Sequence, residues 1–254
     1  MDVSIIGSGN VATHLAKALK SAGFNILQIA SSTEENAKTL ASQVDAGFLI
    51  NIANLKAVDV LFIAVKDDAI AGLLPQLNNF KGIVVHTSGA TPLDVFKPYV
   101  KRYGVFYPLQ TFSKQVEVDF RKVPLCIEGG SKEIVDSLMS IANKLSNNVK
   151  EISSLDRKQL HLAAVFTCNF TNHLFSVGSD ILEKGGLPFD MLIPLIEQTV
   201  EKIKHSKPKD VQTGPAIRGD ETIINGHLEL LKERPDLQEM YVFLSKSIKK
   251  MHSV

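Results

Sequence analysis

The chain has 254 residues, 44% of them hydrophobic, which is enough for one large domain or two modest ones with real cores. Its formal net charge of +1 provides no general field that would attract nucleic acid. The two cysteines, Cys126 and Cys168, lack metal-type spacing and lie in apolar segments, as expected in a reducing cytosol. No apolar stretch has the length of a membrane span, and Met1 leads straight into a predicted strand without a signal sequence. We therefore expect a cytoplasmic protein that binds no nucleic acid, membrane or metal.

The first predicted strand, Ser4–Ile6, breaks into the pattern Gly-x-Gly-x-x-Ala and is followed by a predicted helix, Val11–Ala22. In such a unit Gly7 lets the strand turn tightly, Gly9 lets the backbone approach a pyrophosphate, and Ala12 lets the helix pack closely on the sheet. The helix directs its free N–H groups at the phosphates. The pattern alone also fits an ordinary strand-to-helix turn, but the order of strand, loop and helix favours a dinucleotide site. The residues expected to contact the cofactor here are Gly7, Ser8, Gly9, Asn10 and Val11.

The end of the second predicted strand, Ile26–Ala30, bears on the choice of cofactor. In NAD-binding units an acidic residue about twenty residues beyond the glycines binds the ribose 2′-hydroxyl. Here Ser31, Ser32 and Thr33 occupy that place, and the first carboxylate is that of Glu34. Hydroxyl donors without a repelling carboxylate favour NADP over NAD. The run contains no arginine to clamp a phosphate, and it is also typical of a helix N-cap.

Apolar runs and helical patterns continue to alternate over the first 150 residues, which predicts a mostly parallel sheet covered by helices on both faces. The runs are continuously apolar, as strands buried on both faces require. Further strands are predicted at Phe48–Ile50, Val60–Val65, Ile83–His86, Gly104–Tyr107 and Leu125–Ile127. Further helices are predicted at Glu34–Ser42, Ala69–Leu77 and Ile134–Leu145.

Beyond Ile152 no convincing strand follows, and helical periodicity continues to the end of the chain. The pattern predicts an α/β fold with two domains: a Rossmann-type, doubly wound domain over residues 1–153 and an all-helical domain over residues 154–254. The helices expected in the second domain are Asp156–Lys184, Pro188–His205, Asp220–Arg234 and Asp236–His252.

Ligands of parallel sheets bind beyond the carboxyl ends of the strands, so the residues after each apolar run are candidates for the site. Val65 and Lys66 are expected along the nicotinamide ribose and pyrophosphate, whereas the aspartates that follow them are better explained as caps of the next helix. His86 and Ser88 are expected near the nicotinamide ring, although His86 could equally form hydrogen bonds within a crowded turn. The polar segment Tyr107–Thr111 follows a third strand.

The segment Asp156–Lys184 is apolar on nearly all sides, which predicts a buried central helix. At 100° per residue, a set of polar side chains falls on one narrow stripe. Buried polar groups need partners, and these could be a substrate, a neighbouring helix or a second subunit. The stripe consists of His161, Cys168, Asn172, Ser176 and Ser179, with Asn169 beside it.

Arg218 lies in a Gly-rich and Pro-containing connection, Thr213–Asp220, between two predicted helices. The connection either presents the guanidinium to an anionic group of the substrate or is a plain turn whose arginine pairs with a surface carboxylate.

Four segments of the chain together resemble a known group of proteins: Gly7–Ala12, His86–Ala90, Gly104–Phe112 and Thr213–Asp220. The group is that of the Rossmann-like oxidoreductases related to the deazaflavin-dependent NADP oxidoreductases and to pyrroline-5-carboxylate reductase, and the last three segments are typical of a bacterial branch of it. The resemblance implies an N-terminal nucleotide domain and a helical C-terminal domain like that of 6-phosphogluconate dehydrogenase. It also implies a homodimer formed through those helices and a cleft between the domains.

The chain departs from the related β-hydroxyacid dehydrogenases at one position. Those enzymes carry a lysine one turn before an asparagine on the long helix, whereas Val165 and Phe166 precede Asn169 here. Only the asparagine is carried over, and His161 is the candidate that replaces the lysine as acid or base, because the pKa of imidazole suits proton transfer near neutral pH.

The sequence thus predicts an NADP-dependent oxidoreductase that transfers a hydride between NADP(H) and a small-molecule substrate at the interdomain cleft. His161 is the expected acid or base, Asn169 would orient the substrate, and Asn172 and Arg218 are candidate substrate contacts. Two alternatives stay open: a non-catalytic dinucleotide-binding regulatory or scaffold protein, which the missing lysine supports, and an enzyme whose hydride partner is reduced deazaflavin.

Overall fold

The computed structural model describes residues 1–252, and the chain divides into two compact units. The first unit comprises Met1–Asn172 and the second begins at His173. Helical residues 154–172 thus pack with the first unit, whereas the predicted division between domains at residues 153 and 154 stays a prediction.

The first unit is built on an eight-stranded sheet with the strand order β3-β2-β1-β4-β5-β6-β7-β8. Neighbouring strands are parallel except β6 and β7, which are antiparallel. The chain reverses its direction of winding between β1 and β4, and such a switch point opens a crevice at the carboxyl ends of the strands. The strands are Asp2–Ile6 (β1), Asn25–Ala30 (β2), Gly47–Leu49 (β3), Val60–Ile63 (β4), Ile83–His86 (β5), Tyr103–Pro108 (β6), Leu125–Gly129 (β7) and Val149–Glu151 (β8).

Both faces of the sheet are covered, which explains why its strands are continuously apolar. On one face Ile5 and Phe62 belong to a core that includes residues of the helices Asn10–Ser21 (α1), Glu34–Gln43 (α2) and Lys132–Leu145 (α4). On the other face Ile6 and Ile63 belong to a second core, together with residues of the helix Asp67–Leu73 (α3) and the 3₁₀ turn Leu74–Leu77.

The predicted doubly wound sheet is confirmed, and β8 is the strand that the sequence pattern missed. Its three residues include the charged pair Lys150 and Glu151, both exposed at the edge of the sheet, so the strand carries no apolar signature. The antiparallel step from β6 to β7 has a topological reason. The segment that joins these strands contains one short 3₁₀ turn, Phe120–Lys122, instead of the helical crossover that a parallel pair uses.

The region predicted as one long helix, Asp156–Lys184, is interrupted. It consists of Ser154–Ala164 (α5), a π-helix over Val165–Phe170, and Thr171–Lys184 (α6). An i→i+5 turn takes one residue more than an α-helical turn, so side chains beyond it are rotated away from the positions that a continuous helix predicts. The single polar stripe was therefore wrong as a geometric prediction.

The prediction that this helix is buried is also wrong. Leu162, Phe166 and Phe170 are 58%, 61% and 50% exposed, respectively. The sequence pattern correctly indicated an apolar surface, but it does not determine whether other residues of the same chain cover that surface.

The remaining predicted helices of the second unit are confirmed, with shifted ends. They are Ile193–His205 (α7), Glu221–Leu230 (α9) and Pro235–His252 (α10), and a helix that was not predicted, Pro215–Arg218 (α8), lies between α7 and α9 in the chain. The short α8 replaces the turn expected around Arg218, and it is bounded by Gly214 and Gly219, both at positive φ. Across residues 1–252, no helix is long and apolar enough to cross a membrane.

Helix α5 is held to the sheet by a buried ion pair. The side chain of Arg157 is fully buried, and it donates to Glu128 of β7 and, at 2.6 Å, to the carbonyl oxygen of Thr91. The other donors to the Glu128 carboxylate are the backbone N–H and the hydroxyl of Ser154, at 2.9 and 2.7 Å. This network joins α5, β7 and the loop after β5.

Replacing Glu128 should leave the buried positive charge of Arg157 without a neighbouring negative charge. We expect Glu128→Gln, which keeps the size of the side chain, to lower the free energy of unfolding by about 3–5 kcal/mol in urea titrations. The control is Glu133→Gln, which breaks the exposed pair with Arg102 and should cost less than about 1 kcal/mol. Equal losses in the two variants would contradict a structural role for the buried pair.

Candidate active site

A cleft of about 840 Å³ opens in the first unit beyond the carboxyl ends of β1, β2, β4, β5 and β6. It lies at the switch point of the sheet, where folds of this type bind their ligands. A second cavity, of about 730 Å³, lies between α1, α4 and the loop before β7 and is lined largely by charged side chains. We focus on the first cavity because five strand ends meet there.

The glycine loop after β1 is shaped by close packing on β4. The φ angle of Gly7 is +128°, and a Cβ atom at this position would lie 2.2 Å from the carbonyl oxygen of Ala64. The backbone N–H of Gly7 donates to the carbonyl oxygen of Ala30 at 2.7 Å, which continues the pairing with β2. Neither the conformation nor the space admits a side chain here. A Cβ atom at Gly9, in contrast, would meet no atom within 4 Å, so this side of the loop is open to the cleft.

The N-terminus of α1 faces this opening without a cap of its own. Gly9 is the N-cap residue, no side chain accepts from the first turn, and the turn contains no acidic residue. The side chain of Asn10 is engaged elsewhere, since it donates to the carbonyl oxygen of Phe112 at 2.9 Å. The N–H groups of the first turn are thus left for an anionic ligand, which the helix dipole also favours.

Hydroxyl groups line the cleft at the end of β2. The side chains of Ser31 and Ser8 share a hydrogen bond of 2.7 Å that ties the glycine loop to this strand end. Ser32 is exposed and lines the cleft. Thr33 is the N-cap residue of α2 and is not among the lining residues. The residues that line this end of the cleft include Asn51 but no carboxylate.

Val65 and Lys66 line the cleft beyond β4, as predicted from their position. Asp67 and Asp68 lie in the first turn of α3, but the N-cap residue is Lys66 and no side chain caps the helix, so the interpretation of the aspartates as caps was wrong; they complement the helix dipole instead. Asp67 also lines the cleft.

The two candidates after β5 occupy different surroundings. Ser88 lines the cleft, whereas the side chain of His86 is fully buried beneath it and stacks on Phe96. His86 Nδ1 accepts from the backbone N–H of Ser88 at 3.2 Å. Burial, and then the charge of Arg157, lower the pKa of His86 to about 3. A neutral imidazole therefore supports the turn that carries Ser88.

His161 lies on the cleft, where its Nδ1 atom is 3.1 Å from the hydroxyl oxygen of Tyr107. Tyr107 is the next-to-last residue of β6 and is 8% exposed. Burial is the main cause that raises the pKa of its phenol to about 12. Sequence reasoning did not select Tyr107 as a site residue, although it begins the polar segment Tyr107–Thr111.

The other sequence candidates are Asn169 and Asn172 in the first unit and Arg218 in the second. Asn169 is an exposed residue of the π-helix, and Asn172 is exposed in the first turn of α6; neither is among the residues that line the cleft. Arg218 ends α8 in the second unit. Their contacts with a substrate stay predictions.

The burial of His86 predicts a sensitivity to acid. Its pKa is depressed in the folded state, so the unfolded chain takes up a proton below pH 6.5 that the folded protein refuses until about pH 3. The free energy of unfolding should therefore fall across this range, by about 1.4 kcal/mol for each pH unit well inside it. His86→Asn, whose amide oxygen can replace Nδ1 as acceptor, should remove this part of the slope in denaturant titrations between pH 6.5 and 4.

The matched control for acid sensitivity is His173→Asn, because the side chain of His173 is exposed. This variant should keep the slope of the wild type. A slope that is unchanged in His86→Asn would show that the buried imidazole does not govern the acid response.

Comparisons with known proteins agree with this geometry. Residues 2–88 match the family described as "NADP oxidoreductase coenzyme F420-dependent", and residues 123–248 match a domain of unknown function, DUF2520. Among curated proteins, none matches the chain.

Several solved structures share the fold. A "putative NADP oxidoreductase" from Bacteroides fragilis is 46% identical and superposes with a TM-score of 0.94 over 98% of both chains. A protein from Thermotoga maritima is 23% identical, with a TM-score of 0.73 over 98% of this chain and 97% of that one. The 1-pyrroline-5-carboxylate reductase of Streptococcus pyogenes is 20% identical, with a TM-score of 0.65 over 100% and 99%.

The last two likenesses are evidence for the fold alone. The first covers nearly the whole of both chains at high identity, and the N-terminal family match spans the glycine loop described above. The predicted oxidoreductase family is thereby confirmed. The chain belongs to the family of NADP oxidoreductases that includes the Bacteroides fragilis protein.

Proposed function

We propose that the cleft of the first unit binds NADP(H) and that the protein catalyses hydride transfer between this cofactor and a small-molecule substrate. The observation that carries the proposal is the open cradle at Gly9. There the uncapped first turn of α1 faces the cleft at the switch point of the sheet. When bound, the cofactor supplies the hydride, and the protein supplies orientation and electrostatics.

The residues of the cleft fit the parts of this cofactor. The backbone of Gly7–Val11 suits the pyrophosphate, because the first turn of α1 has no side-chain cap and no acidic side chain. Ser31 and Ser32 provide hydroxyl groups for a 2′-phosphate, and Thr33 lies next to them. Val65, Lys66 and Ser88 line the part of the cleft that leads to Tyr107 and His161, where we place the nicotinamide end. His86 contributes indirectly by holding the turn at Ser88.

On the substrate side we assign His161 as the acid or base, since it lies on the cleft. Asn169, Asn172 and Arg218 are proposed as further substrate contacts, the arginine for an anionic group.

Both cysteines, Cys126 and Cys168, are free thiols, which supports a location in the reducing cytoplasm.

Calorimetric titration tests the cofactor. Wild-type protein should bind NADPH more tightly than NADH, and Gly9→Val should lose most of the affinity because the new side chain fills the place of the phosphates. The fold should survive, since a Cβ atom at Gly9 meets no neighbour. The control is Gly226→Val, also with open space at Cβ but on α9, and it should bind like the wild type.

A second arm of this titration concerns the choice between NADPH and NADH. Ser32→Asp introduces a carboxylate at the exposed end of β2 and should weaken NADPH binding more than NADH binding, because a negative charge repels the 2′-phosphate. Ser42→Asp adds the same charge on the exposed surface of α2 and should change neither affinity. Absence of binding of both cofactors to the wild type would overturn the proposed function.

We also propose that the protein is a homodimer. Of the hydrophobic residues that the structure describes in the second unit, only Ala216, Ile224 and Leu237 are buried within the chain. Large side chains such as Leu195 and Phe243 are 64% and 72% exposed. Exposed apolar surface on this scale is typical of an interface, and obligate homodimers have the most hydrophobic interfaces. A second copy of the chain is the partner that the family resemblance implies.

Light scattering after size-exclusion chromatography measures the assembly. The wild type should have twice the 27.8 kDa mass of the chain. Leu195→Asp together with Phe243→Asp should shift the mass toward that of one chain, because charges are costly in an apolar interface. Val116→Asp changes a residue that is 61% exposed in the first unit and should remain dimeric. A wild type of single-chain mass would contradict the dimer.

A further inference from the structure

The contact between Tyr107 and His161 sets these two side chains apart from the rest of the cleft. Their Oη and Nδ1 atoms are 3.1 Å apart, and the rings meet edge to face with centroids 6.1 Å apart. Both residues line the cleft together with Ser88 and Gly89. A titratable pair on the wall of a cofactor-sized cleft can move protons, whereas a purely structural contact has no need of access to the cleft.

The direction of this hydrogen bond follows from the chemistry of the two groups. Burial keeps the Tyr107 phenol protonated, with a pKa of about 12, so its O–H group can donate to His161 Nδ1 when that nitrogen carries no proton. The proton of a neutral His161 then resides on Nε2. Nε2 carries a proton and cannot accept one, so the basic atom of this imidazole is the one that faces Tyr107.

Close packing holds the two side chains together. A Cβ atom at Gly89 would lie 2.7 Å from His161 Nδ1 and 2.8 Å from Tyr107 Cζ, so the turn after β5 must carry a glycine for the pair to meet. Arg157 precedes His161 by one helical turn and is anchored by Glu128 and the Thr91 carbonyl oxygen. The position of His161 is thereby fixed relative to the end of β6.

We propose that Tyr107 Oη is the atom that exchanges a proton with the substrate and that His161 Nδ1 is the relay behind it. The proposal rests on the proposed function, since it deepens the chemistry of the same cleft. It makes Tyr107 a catalytic residue and assigns to His161 the role of a relay instead of direct contact with the reacting atom.

The step is balanced as follows for reduction of a carbonyl compound. A solvent proton first adds to Nδ1 of the neutral His161, which then donates to Tyr107 Oη and leaves the phenol O–H free to turn toward the carbonyl oxygen. The electron pair and one hydrogen reach the carbonyl carbon as the hydride that reduced nicotinamide would supply, and the carbon–oxygen π bond opens. The Tyr107 O–H bond breaks as a new O–H bond forms on the carbonyl oxygen, and the Nδ1–H bond breaks and restores the phenol. His161 is again neutral, and the net product is the alcohol and oxidised nicotinamide.

Nitrogen NMR of histidine-labelled protein tests the pair without any substrate. His161, assigned from the signal that disappears in His161→Gln, should show the Nε2–H tautomer in the wild type. Tyr107→Phe and Gly89→Ala should shift the tautomer equilibrium, because the first removes the donor and the second separates the rings. Tyr103→Phe, which changes another tyrosine of β6 that does not line the cleft, should leave the signal unchanged. A His161 signal that is insensitive to Tyr107→Phe overturns the relay.

Steady-state oxidation of NADPH with a panel of small aldehydes, ketones, 2-oxo acids and cyclic imines tests the chemistry. Tyr107→Phe should lower kcat by about 10²–10⁴-fold while the affinity for NADPH is kept. The double variant with His161→Gln should be little worse than the more impaired single variant, since the two groups act as a unit. Tyr103→Phe should retain full turnover.

The outcomes separate this inference from the proposed function. Loss of NADPH binding in the wild type would refute the proposed function itself. Intact binding combined with undiminished kcat in Tyr107→Phe would overturn the relay and leave the cofactor assignment standing.

Discussion

The buried ion pair between Arg157 and Glu128 is the interaction on which the arrangement of Tyr107 and His161 on the cleft depends. It connects helix α5 to strand β7, and through the Thr91 carbonyl oxygen it also connects that helix to the loop after β5. Removing two charges from water is costly, and the Coulomb attraction repays the cost only when further hydrogen bonds complete the geometry. The two donors of Ser154 supply such bonds to the carboxylate, whereas the buried Nε of Arg157 has no hydrogen-bond partner. His161 owes its place to this anchor, one turn along the same helix.

The same charge shapes the electrostatics behind the cleft. His86 lies beneath the turn at Ser88, and together burial and the Arg157 guanidinium keep its imidazole neutral. A neutral ring can accept from the Ser88 N–H, which an imidazolium Nδ1 could not do. The turn at Ser88 and Gly89 is thus supported from below by an uncharged base and from the side by an ion pair. Rigid support of this kind lets two side chains on different elements meet within hydrogen-bonding distance.

At the other end of the cleft, local sequence was sufficient to predict the glycine loop and the strand ends that line it. Gly7 and Gly9 could be predicted because the strand and helix on either side of them mark a tight turn that requires glycine. In the structure Gly7 has a positive φ and no room for a side chain, whereas the space beside Gly9 is open. Lys66 and Ser88 could be placed because strand ends follow from apolar runs. His86 could not be distinguished from Ser88, since both follow the same run and only the packing of Phe96 on the ring separates them. Tyr107 was missed because its partner is 54 residues away.

By itself the sequence determined the doubly wound sheet, the glycine loop and the helical character of the second unit, because these depend on periodicities and backbone requirements that are local. Tertiary structure alone decided four further features. It turned β7 antiparallel, it placed a π-helix at Val165–Phe170, and it left Leu162 and Phe166 exposed on a helix that looks buried. It also brought Tyr107 and His161 together. Such contacts arise between residues far apart in the chain, and no local pattern records which surfaces will meet.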